Sequence, residues 1–145
     1  MKKFEVLEHK ADLKIRVFGK TKEELFGNAV LAMMESMKPV KEENEEQNKK
    51  EIKIKSLDLP ALLVDFLSEV LYLTQVNKEV YDKIKFKKLS LPQPSAGEGR
   101  AELVAEVSGK KVKRFNQDIK AVTYHDLEIQ EKENGSWQAT ILFDI

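Results

Sequence analysis

Short stretches in which apolar and charged residues alternate recur along the chain, and this period of two predicts β-strands. The clearest stretch alternates Leu13, Ile15 and Val17 with Lys14 and Arg16. The pattern predicts strands at residues 4–9, 13–18, 52–54, 84–91, 100–108, 119–130 and 136–144.

Two segments instead repeat apolar residues every three or four positions, which predicts amphipathic helices. The first follows Thr21, which can form a capping box with Glu24, and it is predicted to end at Pro39. The second is predicted to begin at Asp58 and Pro60, and it carries the widest stripe in the chain. Its stripe positions are Leu59, Leu63, Phe66, Leu67, Val70, Leu71 and Thr74.

Three polar segments are predicted to be connectors. Residues 41–51 contain no apolar side chain, and residues 92–99 contain two prolines and two glycines, so both are predicted to be loops. Residues 109–115, with the sequence GKKVKRF, are predicted to form a basic loop. This loop is either a solvated hairpin tip or a contact for RNA phosphates or an acidic partner.

The last two predicted strands meet at Asn134 and Gly135, and the length of this turn decides their register. A two-residue turn would pair Glu133 with Ser136. A three-residue loop, with Gly135 in the left-handed conformation, would pair Lys132 with Ser136. Hydrophobic matching favours the three-residue loop, because it places the apolar residues of both strands on one face.

The favoured register makes two further predictions. It points His125 toward the core, where the residue would be either a hydrogen-bonded core histidine or a ligand. It also places Asp144 opposite Tyr124. The other histidine, His9, is expected at a strand end or in a loop.

The order of elements, β-β-α-β-α-β-β-β-β, predicts an α+β fold with two principal helices and a mainly antiparallel sheet, either single or divided into two. With 145 residues, the chain is predicted to form a single two-layer domain over residues 1–145.

Composition narrows the function. Charged residues make up 34% of the chain but balance to a net charge of zero, which argues against a dedicated non-specific nucleic-acid binder. The absence of cysteine excludes disulfides, zinc–thiolate sites and cysteine nucleophiles. The first residues lack an apolar signal region and no stretch approaches transmembrane length, so a cytoplasmic protein is expected.

The most promising chemistry lies in the carboxylates near the two ends of the chain. Asp144 is followed directly by the α-carboxylate of Ile145, and Asp12 lies in the connection between the first two predicted strands. These oxygen ligands suit Ca²⁺, Mg²⁺ or Mn²⁺. In a chain with 25 acidic residues, however, an aspartate near each end is also expected by chance.

Four segments resemble the sequence signatures of the archease family, in the same order and over nearly the whole chain. They are FEVLEHKADLKI at 4–15, LLVDFLSEVL at 62–71, IKAVTYH at 119–125 and LFDI at 142–145. One departure is Lys10, where the family has a small hydroxyl residue, usually threonine.

The resemblance implies an accessory protein rather than an enzyme. Archeases activate the GTP-dependent, manganese-using RNA ligase of tRNA splicing by promoting its guanylylation and multiple turnover. An alternative for the family is a chaperone or modulator of a tRNA-modifying methyltransferase. The resemblance implies that contact with RNA is indirect or weak, and it implies no membrane. The family's metal site, often occupied by Ca²⁺, maps onto Asp12, Asp144 and the carboxylate of Ile145.

A rival from another class is a metal-dependent hydrolase that uses the same carboxylates. Such an enzyme would need a general base near the metal, for which Glu8, His9 and His125 are the available side chains.

Overall fold

The structure of the chain is a computed structural model that describes residues 2–9, 11–43, 46–92 and 99–145. The elements are β1 (Phe4–His9), β2 (Asp12–Gly19), α1 (Lys22–Ser36), β3 (Pro39–Lys41), β4 (Asn48–Ser56), α2 (Leu59–Asn77), β5 (Glu79–Ser90), β6 (Ala101–Phe115), β7 (Ala121–Glu131) and β8 (Trp137–Asp144).

The strands form two antiparallel sheets, which confirms the predicted α+β class. The first sheet has the order β1-β2-β8-β7. In the second, β6 pairs with β4 and β5 along its first part and with β3 at its end.

One hydrophobic core joins the helices to both sheets. The buried positions of β2 are Leu13, Ile15 and Val17, as the alternation predicted, and α1 and α2 each contact strands of both sheets. Phe66 of α2 lies at the centre of this core, where its ring is 6.1 Å from that of Phe26 and 5.8 Å from that of Phe86, measured between centroids.

Both helices begin at the predicted caps. The Thr21 hydroxyl accepts a hydrogen bond from the Glu24 amide at 3.0 Å, and the Glu24 carboxylate accepts one from the Lys20 amide at 3.3 Å. Before α2, the Asp58 carboxylate accepts from the Ala61 amide at 2.9 Å. These contacts satisfy amides that have no partner within the helix.

By length and composition alone, α2 is apolar enough to cross a membrane, contrary to the expectation that no segment approaches that length. Eight of its side chains are buried in the protein, including Leu63, Phe66 and Val70. The stripe that makes this helix apolar therefore packs in the core.

Two of the predicted connectors contain strands. The segment predicted as a loop at 41–51 includes the end of β3 and the beginning of β4, which starts at Asn48. The residues predicted as a basic loop at 109–115 are instead the second half of β6. The proline- and glycine-containing loop at 92–99 lies mostly outside the described residues.

Gly109 shows why the basic segment continues as a strand. A Cβ atom at this position would lie 2.4 Å from the carbonyl oxygen of Val80 and 2.6 Å from Cδ1 of Tyr81. The glycine therefore permits β5 to approach β6 closely, one of the reasons for glycine within a strand. A glycine followed by charged residues is also typical of a loop, which is why the pattern predicts a loop at 109–115.

The β7–β8 hairpin has the predicted three-residue loop. The Lys132 amide donates to the Ser136 carbonyl at 2.7 Å, and Gly135 has a φ of +85°. Further along, Ile129 lies opposite Ala139, as hydrophobic matching required.

Beyond this point the register shifts, and two predictions are wrong. Glu128 lies opposite Thr140, but the next pair is Thr123 with Leu142, so residues 124–127 form a large bulge in β7. The His125 side chain is 76% exposed rather than in the core. Asp144 lies opposite Ala121 rather than Tyr124.

The physical reason is a change of face within β7. Asp126 adopts a left-handed φ of +56°, which diverts the chain out of the ladder. After the bulge Val122 pairs with Phe143 and is buried, and Ile119 is buried nearby. The bulge thus places a second set of apolar residues in the core.

A buried polar cluster lies where β5 begins. The Tyr81 hydroxyl donates to Glu79 Oε1 at 2.7 Å and accepts from Asn77 Nδ2 at 3.3 Å, while Asn48 Nδ2 donates to the other Glu79 oxygen. Both Glu79 and Tyr81 are buried. Hydrogen bonding is what makes burial of these groups tolerable.

This cluster predicts a specific response to alkaline pH. Burial, followed by the contact with Glu79, raises the pKa of Tyr81 above its ordinary value of 10.0. Because the protonated form is favoured in the folded state, the resulting stability is present below about pH 10 and is lost as the pH rises through the folded pKa. We expect Tyr81 to ionise only with alkaline unfolding, measured by absorbance at 295 nm and circular dichroism. The interpretation would be wrong if the native chain gained tyrosinate absorbance before it unfolded and the Tyr81→Phe variant lacked that gain.

Candidate metal site at the paired carboxylates

The structure brings Asp12 and Asp144 together as direct partners on neighbouring antiparallel strands. Their neighbours Leu13 and Phe143 also pair and are buried, so the two aspartates lie on the opposite, outer face of the first sheet. Both aspartates are exposed. The Cβ atoms of directly opposed residues lie about 4.5–5.5 Å apart, which brings the two carboxylates within reach of one cation.

The end of the chain is held in place beside this pair. β8 lies between β2 and β7, and the carbonyl oxygen of Asp144 accepts a hydrogen bond from the Lys120 amide at 2.7 Å. Ile145 is partly buried against the core. Chain termini usually fray unless they are tied down, so these contacts place the terminal carboxylate one residue from an ordered carboxylate pair.

The electrostatics of the pair are unfavourable without a counter-ion. Like charges that lie directly opposite in a sheet destabilise it. Neither Asp12 nor Asp144 has an ion-pair partner among the described residues, and Lys14, the next residue on the same face of β2, pairs with Asp126 at 3.8 Å. Lys10, whose ammonium group could pair with Asp12, lies outside those residues.

The donors present suit a hard divalent cation. Carboxylate oxygens are the preferred ligands of Ca²⁺, Mg²⁺ and Mn²⁺. In the part of the chain that the structure describes, no group of three or more His, Cys, Asp or Glu side chains could hold a metal ion. A site here would therefore need the α-carboxylate of Ile145, with backbone carbonyls and water completing the coordination.

Of the side chains considered as a general base for a hydrolase, the structure describes only that of His125. His125 is on the exposed bulge, with Nε2 3.7 Å from Asp126 Oδ2. The side chains of Glu8 and His9 lie outside the described part of the molecule.

Sequence reasoning missed a small polar network that connects the bulge to α2. The Tyr124 hydroxyl donates to Asp65 Oδ1 at 3.1 Å, and the Ser56 hydroxyl donates to Asp65 Oδ2 at 2.6 Å. Desolvation, followed by this contact with Asp65, raises the pKa of Tyr124. No periodicity signals such a contact, because Tyr124 reaches α2 only through the bulge.

Comparison with known proteins agrees with the architecture. Residues 4–145 match the profile of the Archease protein family. The archease of Methanosarcina mazei is 40% identical, and the aligned region covers 99% of this chain and 97% of that protein. The archease of Thermococcus kodakarensis is 32% identical over the full length of both chains.

Two solved structures share the fold. The solution structure of protein 1598 of Methanobacterium thermoautotrophicum has a TM-score of 0.75 and 29% identity, with both chains fully covered. The crystal structure of a Thermotoga maritima protein, described as an archease and a possible chaperone, has a TM-score of 0.68. At 20% identity, covering 97% of this chain and 96% of the other, that second similarity concerns the fold alone.

Proposed function

Because the chain belongs to the archease family, we propose that it is a cytoplasmic, metal-binding accessory protein that activates the GTP-dependent RNA ligase of tRNA splicing. The observation that carries the proposal is the direct pairing of Asp12 with Asp144 beside the C-terminal carboxylate. Activation would consist of promoting guanylylation of the ligase and allowing it multiple turnovers, as the family resemblance implies.

The proposed metal ligands are the side chains of Asp12 and Asp144 and the α-carboxylate of Ile145. Ca²⁺ is the first candidate, with Mg²⁺ and Mn²⁺ as alternatives, because all the donors are oxygen. A bound cation would supply positive charge able to neutralise phosphate oxygens in a partner's active site. The chain's own contribution is to hold two carboxylates opposite each other on an accessible face and to fix the end of β8 beside them.

The proposal is tested by measuring guanylylation and turnover of a cognate RNA ligase with and without this protein. We expect the protein alone to be inactive and to increase ligase turnover when the ligase is limiting. Asp144→Asn should reduce that activation at least about tenfold, as loss of a charge-stabilising group does. The matched control is Asp118→Asn, an exposed aspartate outside the strands, which should activate normally.

Two outcomes would contradict the proposal. Full activation by Asp144→Asn would remove the carboxylate pair from the mechanism. If the protein had no effect on the ligase but maintained the activity of a tRNA-modifying methyltransferase, and Asp144→Asn did the same, the chaperone alternative for the family would be supported instead.

A further inference from the structure

Most of the charged residues on the outer face of the second sheet are lysines. Residues of β4, β5 and β6 that alternate with buried positions such as Ile52 and Leu103 form this surface, which we call the lysine face. It contains seven lysines and three glutamates: Lys49, Lys53, Lys55, Lys83, Lys85, Lys87 and Lys88, with Glu51, Glu102 and Glu106.

The three glutamates of the face are already engaged by lysines. Glu51 accepts a hydrogen bond from Lys87 at 3.1 Å, and Glu102 accepts one from Lys88 at 2.9 Å. These lysine contacts are the main cause of the lowered pKa values of Glu51 and Glu102, so both carboxylates are ionised at neutral pH. Glu106 lies 3.9 Å from Lys49.

Neutralising all three glutamates still leaves lysines in excess. Lys83 and Lys85 have no ion-pair partner among the described residues, and Lys53 shares Glu51 with Lys87. The whole chain has a net charge of zero, so positive charge on this face is balanced by acidic surface elsewhere. Such segregation of charge provides an attractive potential for a polyanion that the net charge conceals.

The spacing of the lysines suits a repeating polyanion. Alternate residues on one strand are about 6.7 Å apart, and adjacent strands are about 4.8 Å apart. Lys53 and Lys88 flank Val104 on the central strand, and Lys85 lies one row away, opposite Glu106. The face therefore presents a grid of ammonium groups rather than one isolated cluster.

The composition of the face favours nucleic acid over a protein partner. Protein interfaces have apolar, aromatic-rich centres from which lysine is depleted, whereas the centre here is Val104 between two lysines. Along the described, paired parts of these strands the outward positions include no aromatic residue on which an unpaired base could stack. The contacts available are therefore to phosphates.

The shape of the face distinguishes between the two kinds of duplex. Proteins that read B-form DNA insert a helix or a β-ribbon into its major groove. The lysine face consists of the outward positions of paired strands, and the described parts of β4, β5 and β6 include no helix or ribbon that protrudes from it. A-form RNA has a wide, shallow minor groove bordered by phosphates, which proteins contact by shape rather than by sequence. A sheet surface can lie along it.

We propose that the lysine face binds the phosphate backbone of double-stranded RNA, independently of sequence. This inference does not depend on the ligase or on the metal site, because the face belongs to the second sheet and the paired carboxylates to the first. It assigns to the protein a direct contact with RNA.

The test is fluorescence anisotropy of a labelled, blunt-ended RNA duplex mixed with the full chain at a series of salt concentrations. The test variant is Lys53→Gln/Lys55→Gln/Lys85→Gln, which removes charge without placing new carboxylates beside Glu51 and Glu102. We expect its affinity at low salt to fall at least about tenfold and its log–log salt slope to decrease by roughly 2–3, since each lost phosphate contact contributes nearly one.

The matched control is Lys3→Gln/Lys20→Gln/Lys132→Gln. These three lysines are exposed and lie outside the second sheet. The control loses the same charge and should bind almost like the native chain. Circular dichroism of each variant establishes that it is folded.

Three results would overturn the proposal. The native chain could fail to bind the RNA duplex even at low salt, or the test and control variants could lose equal affinity, which would indicate a general charge effect. Equal binding of a B-form DNA duplex of the same sequence would refute the assignment to A-form RNA. Failure of ligase activation, by contrast, would leave this measurement unaffected.

Discussion

Extending the chain by a short glycine–serine segment after Ile145 should abolish its stabilisation by Ca²⁺. The extension converts the α-carboxylate to an amide while leaving the side chains of Asp12 and Asp144 in place. For the native chain, Ca²⁺ at 100 times its dissociation constant should add about 2.7 kcal/mol to the free energy of unfolding by mass action. For a chain of this length that corresponds to a rise in Tm of roughly 5–10 °C, which thermal unfolding with and without Ca²⁺ will measure.

The matched control is the same segment added before Met1, which should leave the Ca²⁺ response unchanged. Asp12→Asn and Asp144→Asn should each remove the response as completely as the C-terminal extension does. Without Ca²⁺, these two variants should be no less stable than the native chain, because each relieves the repulsion between directly opposed carboxylates. A C-terminally extended protein with the native Ca²⁺ response would show that the terminal carboxylate is not a ligand.

Much of the fold follows from local pattern. Alternation predicted the buried face of β2, and the caps at Thr21 and Asp58 predicted where both helices begin. Each of these features depends on residues that are close together in the sequence. Local physical chemistry is therefore sufficient to predict them.

The pairing of the two aspartates cannot be predicted from local pattern, because it depends on how distant strands are arranged. Asp12 and Asp144 are 132 positions apart in sequence, and they meet only because β2 and β8 are neighbours with a particular register. Periodicity places Asp144 on the outer side of its strand, but it predicts Asp12 in the connection before the second strand, whereas β2 begins at Asp12 itself. Periodicity also does not say which strands are adjacent. Composition alone therefore does not single out the site, whereas the family resemblance implies it.

The predictions of secondary structure differ from the structure where the local sequence is compatible with two conformations. Gly109 begins the segment predicted to be a basic loop, yet it permits close contact between β5 and β6. The lysine-rich beginning of β4 is predicted to be a solvated connector, because its less exposed positions, Asn48 and Lys50, are polar and give no apolar alternation. The bulge in β7 is not signalled by the sequence, because an aspartate adopts the left-handed conformation seen at Asp126 at little local cost.

Replacing Phe66 by alanine should produce the largest loss of stability of any change considered for this chain. The side chain is fully buried, and its ring lies between those of Phe26 and Phe86, so it connects α1, α2 and the second sheet. Removing a buried phenylalanine ring costs about 3–5 kcal/mol, from lost transfer free energy and from the cavity left behind. Urea unfolding followed by circular dichroism measures this difference.

The control for this experiment lies on the same helix. Tyr72 is 57% exposed, so Tyr72→Ala removes an aromatic ring of similar size without opening a cavity in the core. Its effect should stay within about 0.5 kcal/mol, as is usual for surface substitutions. A cost below about 1 kcal/mol for Phe66→Ala, or equal costs for the two variants, would mean that α2 does not anchor the core. The close approach of the three phenylalanine rings would then contribute little to stability, and the two sheets would have to be held together mainly by contacts through α1 and the strands themselves.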